Sequence, residues 1–106
     1  MSAGNASVFA AVADPTRRRI LARLRSGETL SVNELARDLP MSRQAATKHL
    51  DLLRRAGLVS VHWEGRRRLH QLDARPLQAV DAWLAPFAAF WDDALERLER
   101  HLEENP

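Results

Sequence analysis

The 106 residues are enough for one compact domain with one modest core, and too few for two. The chain has no cysteine, which excludes a disulfide framework and a thiolate metal site, and no apolar run long enough to span a bilayer. The net charge of +2 hides a segregation, because residues 15–75 carry 14 Lys/Arg against 6 Asp/Glu while residues 76–106 carry 2 against 7; the first region suits a polyanion and the second does not.

Met1 to Asn5 are small and polar and do not read as a secretion signal, so a cytoplasmic location is expected. Val8, Phe9 and Val12 form one apolar face of a short helix over 8–13. Asp14-Pro15 then supplies an N-cap and an N1 proline, Ile20, Leu21 and Leu24 follow at helical spacing, and Gly27 closes the element. Arg17, Arg18, Arg19, Arg23 and Arg25 fall mostly on its other faces.

Ser31 and Glu34 stand at the spacing of a capping box, with Leu35 and Leu39 on one face behind them and Pro40 as the stop. Ser42 caps the next helix after a turn of about three residues. That helix sets Ala46, His49, Leu50 and Leu53 on one face and ends at Gly57, a residue suited to a left-handed C′ position. Two helices, a short turn and an apolar stripe on each make a helix-turn-helix from Ser31 to Gly57. The outer face of the second helix offers Arg43, Gln44, Thr47, Lys48 and Asp51. DNA reading needs such a helix: polar residues at its N-terminal end and apolar anchoring behind. Gln44 matches adenine, Arg43 or Lys48 matches guanine or phosphate, and Ser42 with the first-turn amides suits a phosphate.

After Gly57 the period changes. Leu58, Val59, Val61 and Trp63 are β-prone, Glu64-Gly65 is the candidate two-residue turn, and Arg66 to Leu72 return as a second strand. Alternation sends Arg66 and Arg68 to one face, toward a minor groove or backbone, and Arg67 to the other, where it covers the domain. This basic hairpin sits where the wing of a winged helix belongs.

Pro76 opens the last helical region, over 76–103. Leu77, Val80, Leu84, Phe87, Trp91, Leu95, Leu98 and Leu102 recur at helical spacing, widened by Trp83 and Phe90. Pro86 predicts a kink or break. The stripe is too long for so small a domain to cover, so it either crosses the whole domain or meets a second copy. The expected seam comprises Val8, Phe9, Val12, Leu77, Val80, Trp83, Leu84, Phe87, Phe90, Trp91, Leu95 and Leu98.

The histidines carry little. His49 reads as a packed structural residue, His62 and His70 are placed to face each other across the hairpin, and His101 with Glu104 is a fragment of a metal site. No metal or cofactor is implied. Asp92 and Asp93 are adjacent, so they point to different helical faces and make no catalytic pair; no nucleophile is set beside a base, and no enzyme is expected.

With these residues in place the chain resembles the ArsR-type family of bacterial winged-helix repressors. The likeness rests on Ala13-Asp14-Pro15-Thr16-Arg17-Arg18, Glu34-Leu35-Ala36, Ser42 through His49-Leu50, Ala56-Gly57-Leu58-Val59, Gly65-Arg66 and Phe90-Trp91-Asp92. It implies a mostly α fold with a small β-hairpin, four helices, two strands and a kinked C-terminal dimerisation helix. It also implies a homodimer on double-stranded DNA with a palindromic operator. Metal-sensing members carry Cys-x-Cys where this chain has Ser31 and Asn33, so the metal switch does not carry over. Two other readings stay open: a protein-interaction module docking through the aromatic stripe, and a sensor holding a small apolar effector around Trp83, Phe87 and Trp91.

Overall fold

Local signals set the helix ends. The computed structural model describes residues 3–104. Helix α1 spans Ala3–Val12 and α2 spans Pro15–Leu24, started by Asp14, whose carboxylate accepts the Arg17 amide at 2.9 Å. Helix α3, Val32–Asp38, begins on a complete capping box: Ser31 Oγ accepts from the Glu34 amide, and the Glu34 carboxylate accepts from the Ser31 amide. Helix α4, Arg43–Arg55, starts on Ser42, whose Oγ accepts from Ala45 at 3.0 Å. It ends before Gly57, whose φ of +80° is one that a side chain would oppose.

Strands β1 (Val59–Glu64) and β2 (Arg67–Leu72) pair antiparallel with Glu64 opposite Arg67. The turn is therefore Gly65-Arg66, one residue later than expected from Glu64-Gly65, and Arg66 belongs to the turn rather than the strand. The reason is conformational: Gly65 has φ +63° and no other residue from Glu64 to Arg67 has a positive φ, which fits a turn with glycine at its first central position. Leu30 adds a bridge at the edge of β2, exchanging both backbone hydrogen bonds with His70 at 3.0 and 2.8 Å.

A 3-10 turn, Arg75–Leu77, leads into α5, Gln78–Glu104. The helix runs unbroken through Pro86, so of the kink or break that Pro86 predicts, the break does not occur. Pro86 removes one donor, and the carbonyl it would have met, on Ala82, lies on an exposed stretch open to water.

The core lies between α1, α2, α3, α4 and the base of the hairpin. Val8, Ile20, Leu24, Leu35, Leu53 and Leu58 are fully enclosed, and each contributes about 1.5–3 kcal/mol of burial. Helix α5 adds no buried residue. Its start, with Leu77 and Val80, leans on the core, and Trp83 meets Phe9 edge-on at 6.0 Å. Beyond that point the helix extends past the body, and the molecule measures 64 Å along its longest axis.

Candidate nucleic-acid interface

The buried side of α4 fixes what its other side can do. Ala46, Leu50 and Leu53 are closed into the core, so Arg43, Gln44, Thr47 and Lys48 are held outward together, all exposed. The Thr47 hydroxyl donates to the Arg43 carbonyl at 2.9 Å, which uses its one proton and leaves its oxygen as an acceptor. Ser42 sits at the helix N-terminus with its oxygen engaged by Ala45. Asp51, on the same face, is tied to Arg54 at 2.8 Å and Arg55 at 2.9 Å, and these pairs, Arg54 first, lower its pKa. The face is left with a positive outer surface.

The three arginines of the hairpin divide. Arg67 donates to the Glu34 carboxylate at 2.7 Å and ties the hairpin to the start of α3. That carboxyl is held below the usual range by its bonds from Ser31, with Arg67 and Arg37 adding. Arg68 lies on the opposite face of β2 and lines the cleft beside α4. Arg66 stands in the turn. The expected division of Arg67 from Arg68 holds; the placing of Arg66 with Arg68 on a strand face does not.

The histidine expectation needs correction as well. His70 faces Val61 and His62 faces Leu69, so the two histidines point to opposite sides of the hairpin. His62 is exposed, while His70 is 2 % exposed with Nδ1 3.1 Å from the Leu30 carbonyl. His49 is half-buried, its Nδ1 3.5 Å from Arg17 Nη1. Among the described residues no three His, Cys, Asp or Glu side chains converge as metal ligands.

Two features escaped the sequence reading. Arg17 also donates to the carbonyls of Ala11 and Ala10 at 2.8 and 3.0 Å, and Arg18 donates to those of Val12 and Ala13. Two consecutive arginines thus close the open end of α1, and Arg17 joins that end to His49 on α4. The available signal was their place in the first turn of α2, immediately after the Asp14-Pro15 break. Trp63 is the second: on the hairpin, opposite Arg68, it is 66 % exposed.

The residues of the expected seam also divide. Val8, 2 % exposed, belongs to the chain's own core and has almost no surface to offer a partner. Val12, Leu77 and Val80 pack against that core, and Phe9 and Leu84 are half-buried. Trp83, Phe87, Phe90, Trp91, Leu95 and Leu98 are all exposed. Trp83, Phe87 and Trp91 form a run of rings 5.1 and 6.4 Å apart.

Residues 12–62 match a helix-turn-helix domain family. The chain is 48 % identical over 85 residues to the HTH-type transcriptional regulator Rv2034 of Mycobacterium tuberculosis, covering 80 % of this chain and 76 % of that protein. It is 32 % identical over 89 residues to the transcriptional repressor SdpR of Bacillus subtilis, covering 84 % and 98 %. Among solved structures, an ArsR-like transcriptional regulator from Rhodococcus sp. RHA1 superposes with a TM-score of 0.73 at 37 % identity, covering 98 % of this chain and 94 % of that one. No helix among the described residues is long and apolar enough to cross a membrane.

Proposed function

Because the chain belongs to the ArsR family of helix-turn-helix transcriptional regulators, which are DNA-binding proteins and not enzymes, we propose that it is a homodimeric, sequence-specific repressor of an inverted-repeat operator. The observation that carries this reading is the outward row Arg43, Gln44, Thr47 and Lys48 over the buried Ala46, Leu50 and Leu53. In this reading α4 enters the major groove, Gln44 bonds adenine, and Arg43 or Lys48 takes guanine or phosphate. Ser42 and the first turn of α4 meet a phosphate. Arg66 and Arg68 follow the backbone beside it, and Arg67 chiefly holds the wing to α3.

The partner copy is assigned to the exposed stripe of α5 together with Phe9 of α1. Two recognition helices then lie about one helical turn of DNA apart, which calls for a palindromic site. The repressor sign has its support in the name of the relative SdpR. Fluorescence anisotropy against fragments from upstream of its own gene tests the reading. Gln44→Ala with Lys48→Ala should cost about 1–3 kcal/mol of discrimination at the contacted base. Unchanged affinity and specificity in that double variant would show that α4 does not read DNA.

A further inference from the structure

Helix α4 and the hairpin part as they leave the core, and the trough between them encloses about 440 Å³, within the range of sites that take small organic molecules. Its floor is apolar: Val32 at the start of α3 and Val61, directly opposite His70, are both half-buried, and the enclosed Leu50 of α4 also belongs to the lining. Duplex DNA brings phosphates and base edges, which suit a polar rim. It brings little that would fill an apolar trench, so the DNA-reading role does not account for the floor.

The rim adds charge of one sign. Arg43 and Lys48 from α4 and Arg68 from β2 stand around the floor, and no ion pair among the described residues engages them. The one carboxylate in the lining, Asp51, is paired with Arg54 and Arg55, and the Arg68 charge acts on it as well. His70 contributes a buried ring, kept toward its neutral form by burial, with Nδ1 against the Leu30 carbonyl.

We propose that this cleft binds an organic monoanion with an apolar body, a carboxylate of medium chain length, and that this ligand and duplex DNA exclude one another. The head meets the three cations and the body covers Val32 and Val61. A short acid would satisfy only the rim, and a neutral alcohol only the floor. The exclusion rests on the DNA-reading role proposed above, since Arg43, Gln44, Thr47 and Lys48 line the cleft and also face the operator. Release of DNA would then come from direct occupation of the reading face, with no change at the dimer seam required.

Calorimetric titration of the full chain with decanoate, without DNA, tests the site by itself. Saturable binding is expected, with acetate and decanol each about ten-fold weaker or more. Arg68→Glu, an exposed change that spares the core, should weaken decanoate by about ten-fold, and Val61→Trp should abolish it by filling the floor. In an anisotropy titration decanoate should raise the apparent Kd for DNA in step with its own occupancy. Absence of saturable binding overturns the proposal. So does wild-type affinity in both variants, which would place the acid elsewhere, for example on α5. A ternary complex with DNA overturns the exclusion. If the ligand-free chain binds no DNA at low salt, it is the DNA reading that fails, while the calorimetric result still decides the site.

Discussion

Helices α4 and α5 carry the same kind of sequence, an apolar stripe at helical spacing beside a charged face, and they meet opposite fates. In α4 the stripe has left the surface, with Ala46 and Leu53 at 0 % exposure, covered by α1, α2, α3 and β1. In α5 nothing is buried, and Phe90, Leu95 and Leu102 are among the most exposed apolar residues of the chain. Periodicity states that a face needs covering; it does not state by which chain. A contiguous exposed stripe of this kind marks an interaction surface. The contrast therefore separates what the protomer needs in order to fold from what it offers to another molecule.

Truncation should affect the two stripes in opposite ways. Leu53→Ala should cost about 2–5 kcal/mol of stability, a large share of the 5–15 kcal/mol typical of a domain, and urea denaturation would show it as a lower midpoint. Leu95→Glu should leave that midpoint nearly unchanged when the chain is dilute. It should instead convert the proposed dimer to a monomer in sedimentation, weakening self-association by about a hundred-fold to ten-thousand-fold if each copy loses some 1.5–3 kcal/mol of burial. If Leu95→Glu unfolds the dilute chain, α5 belongs to the body after all. If the mass does not change, the α5 stripe is not the seam of the proposed dimer.

The wing repeats the contrast on a smaller scale. Arg67 is turned inward to Glu34, and Arg66 stands free in the turn. Replacing Arg66 by Ala should weaken all DNA sequences alike and flatten the dependence of log K on log salt by about 0.9 for one lost phosphate contact. Arg67→Ala should leave that slope nearly unaltered and lower stability only slightly, because the Glu34 pair is exposed and such pairs stabilise little. Equal slopes for the two variants would remove the distinction.

What could be read from the sequence follows from how far each interaction reaches. The capping pairs Asp14 with Arg17, Ser31 with Glu34, and Ser42 with Ala45 span three residues, so the starts of α2, α3 and α4 show as local patterns; α1, which runs from Ala3 rather than over 8–13, does not. The hairpin was visible too, but its turn was misplaced by one, because alternation sets a parity and the left-handed Gly65 sets the position. That one residue moves Arg66 off the strand; it leaves the parity of the pairing unchanged, so His62 and His70 fall on opposite faces with either turn. Pro86 does not break α5, because the one lost hydrogen bond frees a carbonyl on a stretch that water reaches. Arg17 was out of reach, since its guanidinium bonds residues 6, 7 and 32 positions away. The outward row of α4 was legible because a buried stripe fixes its opposite.

The smallest expected effect tests the inward side of the hairpin. His70 is enclosed, and its backbone and its ring Nδ1 both meet Leu30. Burial lowers its pKa below the ordinary 6.5; the Leu30 bond opposes this, and the nearby Arg68 charge reinforces it. A histidine with a depressed folded pKa leaves the unfolded chain binding more protons between the two values, so stability rises with pH there. Its contribution is complete above pH 6.5 and is lost as pH falls from 6.5 through the folded value. The carboxylates whose pKa values are lowered, Asp14, Glu34, Asp51 and Asp73 (the last to about 2), lose their contributions only at more acidic pH. Urea midpoints measured from pH 5 to 7.5 should therefore climb with pH in the wild type and stay flat in His70→Gln, whose amide can still donate to Leu30. A slope that survives the substitution would mean that some other group titrates, and that the ring of His70 is not held neutral by its enclosure.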